Sequence, residues 1–247
     1  MKASPEAQLR LLELADLDTE LDRLDHRRRT LPQIAEIDQL TASAAEAKDA
    51  ITRAETELSD LDREQKRAER DVDQVRVRID RDTERLDAGK VSSAKELESL
   101  QGEIESLRRR QGDLEEVVLE LMEKAEGAQG RRDEASSAAA GVASKLDEVT
   151  ARRDAALKEI GEQQAKASAS RAAAAGDVPA DLLALYDKIR SQVPGAAAAL
   201  LRRGQCEGCR ESLSTVELNE VRAAAPDEVI RHDQCRRIMV RTAESGL

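Results

Sequence analysis

The residues best equipped for chemistry fall in two short clusters near the C-terminus, Gln205-Cys206-Glu207-Gly208-Cys209-Arg210 and Arg231-His232-Asp233-Gln234-Cys235-Arg236. Together they read C-x2-C, 22 intervening residues, then H-x2-C, using all three cysteines and one of the two histidines. Donors two residues apart suit a tight knuckle, and two knuckles supply the closed tetrahedron of a structural zinc site. Thiolate and imidazole donors favour zinc over harder cations. The spacing therefore predicts one structural Zn2+ held by Cys206, Cys209, His232 and Cys235. Two alternatives stay open: three free thiols on a small α+β tail, or a catalytic zinc bound by the cysteines with His232 as a base. Nothing else in the chain supports an enzyme: it has no Gly-rich phosphate loop, no paired-histidine helix and no nucleophile motif. The remaining histidine, His26, lies between Asp25 and Arg27 on a charged stretch and reads as a solvated side chain.

The elements that must position these donors are short. Ser214 and Glu217 have capping-box spacing ahead of Val216, Leu218 and Val221, which predicts a short helix. Residues 228–231 and 237–241 read as strands. This module, residues 201–247, is poor in large apolar side chains, so bound metal should supply much of its stability. Before it, residues 171–200 form a linker with one short helix around Leu182, Leu185, Tyr186 and Ile189, stopped by Pro194-Gly195. Tyr186, the single aromatic residue, is expected to pack that helix on the C-terminal module.

The first 170 residues are patterned differently. From Leu40 to Leu86, fourteen positions at alternating spacings of 3 and 4 are apolar except Gln65 and Asp82. A second register runs from Leu97 to Ile160, interrupted at Gln111, Arg132 and Arg153. Such stripes are the signature of a coiled coil. Between them, residues 87–94 offer Gly89 as a left-handed cap and Ser93 with Glu96 as a capping box. A short turn makes the helices antiparallel neighbours, and it sets Ala44, Ala47 and Ala54 opposite Ala139, Ala135 and Ala128. The second arm, at ~1.5 Å per residue, would reach on the order of 100 Å. An earlier stripe, Leu14 to Leu31, changes phase at Pro32, where a kink is expected. Arg27, Arg28 and Arg29 should then lie near Arg152 and Arg153, a basic patch best read as a solvated, ion-paired helix face. The fold class expected is mainly α: a long antiparallel coiled-coil hairpin over residues 1–170 with a small α+β zinc-ribbon domain at the C-terminus.

Composition agrees. The 247 residues include 51 Asp+Glu against 40 Lys+Arg, a net charge of -11, no Trp and no Phe. A compact domain of that length would need aromatic side chains this chain lacks. The longest apolar run, residues 196–201, is far below the ~20 residues of a spanning helix, so no membrane partner is expected. The negative excess argues against a general nucleic-acid coat. With no secretory signal visible and an odd, clustered cysteine set, a reducing, cytoplasmic location is expected. The pattern leaves the oligomeric state open.

The tip sequence GKVSSAKELESLQGEIESL, the PADLLALYDKIR helix and CEGC…LNEVRAAAPDEVIRHDQC together resemble the bacterial C4-type zinc-ribbon family with an N-terminal helical hairpin. That family usually carries cysteine where His232 stands, and glycine where Arg210 and Arg236 follow the donor pairs. The resemblance implies a non-enzymatic adaptor with a nucleic-acid role. The first reading is a scaffold that presents rod and ribbon to protein partners in transcription or RNA metabolism, with tip residues Lys90, Lys95 and Glu96 as contact candidates. The alternative is direct nucleic-acid binding through Arg202, Arg203, Arg231, Arg236, Arg237 and Arg241. Residues 201–247 hold eight Arg against eight Asp+Glu and no aromatic, so such binding would rest on phosphates and weaken with salt.

Overall fold

The computed structural model describes residues 1–247 throughout. Helix α1 (Pro5–Arg29) is capped by the Ser4 hydroxyl, and α2 (Pro32–Asp87) follows a break at Thr30 and Leu31. The break falls where proline was expected to force it. The Pro32 ring has no N–H to donate, and Thr30 closes α1 by donating its own N–H to the His26 carbonyl. Helix α3 spans Ala94–Gly176. It overruns the expected linker start at residue 171, because Ala172 to Ala175 are the strongest helix formers available and nothing stops them before Gly176. Helix α4 is Ala180–Arg190 and α5 is Thr215–Ala223. Strands β1 (Ala198–Arg202), β2 (Gln205–Cys206), β3 (Ile230–Arg231) and β4 (Ile238–Val240) make one sheet in the order β2-β1-β4-β3.

The chain divides into two compact units, residues 35–150 and residues 1–34 with 151–247. The first holds the hairpin. All fourteen positions of the Leu40–Leu86 stripe are buried or half-buried, Gln65 and Asp82 included. Near the tip Ile79, Leu100 and Ile104 form a cluster, and Arg85 pairs with Glu96 at 2.5 Å. Farther along, Arg76 lies 3.7 Å from Glu115, and Arg131 pairs with Glu57 at 2.7 Å. Tip-proximal residues meet tip-proximal residues, so the arms are antiparallel. Ala54 and Ala128, expected to face one another, are both buried. At the turn Gly89 has φ +65, as a left-handed cap requires. The capping differs in detail: Glu96 accepts from the N–H and hydroxyl of Ser92, while the Ser93 hydroxyl accepts the Glu96 N–H.

In the other unit α1, α4, the end of α3 and strands β1 and β4 share one core built on Leu11, Leu14, Leu182, Tyr186, Ala197 and Ile238. Tyr186 packs as expected and is fully buried. Its hydroxyl donates to Asp18 at 2.7 Å, and Asp18 also takes the Arg171 guanidinium at 2.6 Å, with Arg190 3.6 Å away. Burial, then Asp18, pushes the Tyr186 phenol well above its ordinary range. The hydrogen bond to Asp18 likewise raises Arg171. Strand β1 is the element that sequence patterning misses. Alanine favours helix, yet Ala198–Leu200 pair in parallel with Ile238–Val240 and lie at the centre of the sheet. Of the arginines of the expected basic patch, Arg29 pairs with Asp25 and Arg153 with Asp154, each within its own helix.

Candidate metal centre

Each donor pair sits on a knuckle closed by the same hydrogen bonds. Cys206 donates its N–H to the Glu211 carbonyl and accepts from the Arg210 N–H at 2.7 Å. His232 donates to the Arg237 carbonyl and accepts from the Arg236 N–H at 2.8 Å. The two knuckles therefore repeat one backbone path. That path turns through left-handed backbone at Arg210 (φ 63) and Arg236 (φ 65), the positions where glycine would be free of strain. Within the first knuckle Gly208 is obligatory for a different reason: a Cβ there would lie 2.6 Å from Arg237 Cδ and 2.8 Å from Ala199 Cβ. β1 and β2 bring Cys206 in through a two-residue turn at Arg203-Gly204, whose N–H groups are taken by the carbonyls of Glu244 and Ser245.

The donor atoms of Cys206, Cys209, His232 and Cys235 all lie within 4.8 Å of one another. Cys206 Sγ to Cys235 Sγ is 3.9 Å, Cys209 Sγ to His232 Nδ1 is 3.3 Å, and His232 Nδ1 to Cys235 Sγ is 3.2 Å. A tetrahedron with Zn–S near 2.3 Å has S···S edges of about 3.8 Å. The first distance is such an edge and is far too long for a disulfide. The donor set thus fits one structural zinc, with His232 offering Nδ1. Cys206 and His232 are buried, at 0% and 1% exposure, beside an apolar cluster of Ala199, Leu201, Leu213, Val221 and Met239. Burial pushes the metal-free Cys206 thiol up to about 12. Burial also acts against the Cys235 thiolate, but hydrogen bonds from Arg237 and His232 outweigh it and bring that thiol down to about 7. When bound, zinc would replace the Cys206 proton and hold both knuckles to the sheet.

The remaining residues singled out in the sequence are dispersed. Arg237 is committed to the Ala196 and Pro194 carbonyls, and Arg241 donates to the carbonyls of Ala224, Ala225 and Glu228 past the end of α5. Arg202 pairs with Glu244 at 3.0 Å. Arg203, Arg231 and Arg236 are exposed, as are Lys90 and Lys95 at the hairpin turn. Glu217, recognisable in the sequence only as a cap, also reaches the site. It completes the capping box with Ser214, and its Oε1 lies 3.8 Å from His232 Nε2. No sequence signal reports that approach, because it depends on how the second knuckle folds back against α5.

A helical hairpin and a four-donor ribbon define the class, a coiled-coil protein with a structural zinc ribbon. Its sequence matches the CT398-like coiled coil hairpin domain over residues 14–194 and the C4-type zinc ribbon domain over residues 205–239. The chain belongs to this coiled-coil-hairpin family. It is 36% identical over 241 residues to a protein of Mycobacterium tuberculosis H37Rv, covering 98% of each chain. A solved structure from Mycobacterium smegmatis is similar with TM-score 0.85 and 34% identity, covering 98% of this chain and 100% of that one. CT398 from Chlamydia trachomatis shares the fold with TM-score 0.73 at 17% identity, over 96% and 98% of the two chains. No helix is long and apolar enough to cross a membrane.

Proposed function

We propose that the chain is a non-enzymatic adaptor that works in a reducing, cytoplasmic compartment and holds protein partners on its hairpin and ribbon. The observation that carries this reading is the closure of the metal centre. Four protein donors converge on it, two of them buried, which fills the coordination shell that a catalytic zinc leaves open. The hairpin turn is the favoured contact surface. Leu97 is the single position of the second register that stands exposed, at 40%, and Lys90 and Lys95 are exposed on the same turn. An exposed apolar side chain on a turn with charges of both signs suits a partly apolar protein surface with a polar rim.

The test is quantitative capture from a cytosolic extract with the full chain, a K90E/K95E/L97S variant and an unrelated coiled coil. A protein enriched by the native chain and lost with the variant supports the reading. If the native chain enriches nothing beyond the unrelated coil, the adaptor role is wrong. Direct nucleic-acid binding has less support, since Arg237 and Arg241 are committed to backbone carbonyls. A retarded DNA or RNA band that weakens with salt and disappears on R203E/R231E/R236E would replace the adaptor reading with that one.

A further inference from the structure

We propose that Glu217 is an outer-sphere member of the zinc site, its carboxylate accepting the Nε2–H of His232 and so fixing the imidazole that stands in the third ligand position. The inference rests on the zinc reading above and adds a residue outside the four donors. With Nδ1 facing the Cys209 and Cys235 sulfurs at 3.3 and 3.2 Å, the ring must carry its proton on Nε2 when it ligates. His232 is 1% exposed, so that N–H has little access to bulk water and is best satisfied by an acceptor inside the protein. Glu217 Oε1 is 3.8 Å away, and closing to about 2.9 Å makes the bond.

The carboxylate is held for this task. Its other oxygen, Oε2, accepts the Ser214 N–H at 2.7 Å, and the Glu217 N–H donates to the Ser214 hydroxyl at 3.2 Å. One side chain therefore caps α5 with one oxygen and aims the other at the ligand ring. A thiolate in the third position would need no such partner, because sulfur has no second nitrogen to satisfy. The carboxylate also adds negative charge beside a neutral ligand, raising its basicity toward the metal. Glu217 is a positioning residue: it acts on zinc through His232.

The test is a cycle on the full chain, read by zinc competition against a chromophoric chelator. Glu217→Ala should weaken zinc about 10- to 100-fold in the native background. In a His232→Cys background, which removes the imidazole, the same change should cost less than about threefold, the share due to the cap. Ser214→Ala, which breaks the cap and leaves the carboxylate, should also stay within about threefold. Glu217→Gln leaves one acceptor oxygen for two donors and should fall between. Cobalt(II) substitution gives a second reading that does not need the cysteine variant: Glu217→Ala should shift the visible ligand-field bands and Ser214→Ala should not. Equal losses from Glu217→Ala in the histidine and cysteine backgrounds, or an unchanged cobalt spectrum, overturn the proposal. A native chain that takes up no zinc would instead overturn the zinc reading itself, so the two failures are distinguishable.

Discussion

Replacing Arg210 and Arg236 by glycine should tighten zinc binding, although both changes remove a cation next to thiolates. Both residues hold left-handed φ values, 63 and 65, on the repeated knuckle path. An L residue in that region is disfavoured by about 1–2 kcal/mol. Glycine escapes that penalty but loses about 0.4–1 kcal/mol more chain entropy on ordering. The net gain is then about 0.5–1 kcal/mol per knuckle, or about 1–2 kcal/mol for both, which is roughly five- to thirtyfold in affinity. The lost cations weigh less, since both side chains are exposed and screened. The strain appears as affinity if the metal-free tail relaxes its knuckles, and as folding stability if it keeps them. Chelator competition and urea unfolding of the zinc-free chain should therefore be measured together. Alanine is the control, because it removes the cation and keeps the Cβ. Glycine should exceed alanine at each position, and the double glycine should exceed either single. Glycine variants no better than alanine in both measurements would refute strain at these φ values.

Three further outcomes follow from the two units. Asp18→Ala strips the acceptor shared by Tyr186, Arg171 and Arg190 and should destabilise the chain by about 3–5 kcal/mol in urea unfolding; a loss under about 1 kcal/mol would mean the network carries little. Asp82→Leu should stabilise the hairpin by about 1–3 kcal/mol, because Asp82 is 4% exposed at a core position, its Oδ2 accepts no hydrogen bond, and its ion pairs run to Arg78 and Arg81, whose own side chains are exposed and screened. A lower melting temperature for that variant would refute it. The Tyr186 phenol is raised by burial and Asp18, so its contribution is complete below the unfolded value of about 10 and is lost as pH rises beyond it. The stability gap between the native chain and Tyr186→Phe should shrink above pH 10, and a gap that widens there contradicts the assignment.

Much of the hairpin and the donor set was legible because both rest on local spacing. A period of 3 and 4 fixes which side chains face the partner helix, and only Leu97 in the two long registers escapes burial. Paired donors two residues apart announce a knuckle wherever the chain folds. Residues 198–202 show where this stops: their alanines favour helix, and only pairing with β4, about 40 residues on, makes them a strand. Arginine is equally uninformative, since Arg241, bound to backbone carbonyls, and Arg231, exposed, read alike.

The polar groups that matter most are those whose role is set by distant partners. Asp18 lies on a helix dense in acids and looks like its neighbours Asp16 and Asp22, yet it alone of the three is buried, 168 residues from the tyrosine it accepts from. What makes it different is the arrival of α3 and α4 with Arg171 and Arg190, which turns a charge that would be costly in a core into a tie between α1, α3 and α4. Since α1 and α4 share their apolar core with β1 and β4, this tie also fixes the platform from which β1 leads to Cys206. The ribbon is therefore anchored from two sides, by the metal at its knuckles and by a buried carboxylate beneath its sheet. Removing zinc should release the knuckles first, while Tyr186 and Asp18 keep β1 and β4 on the helices.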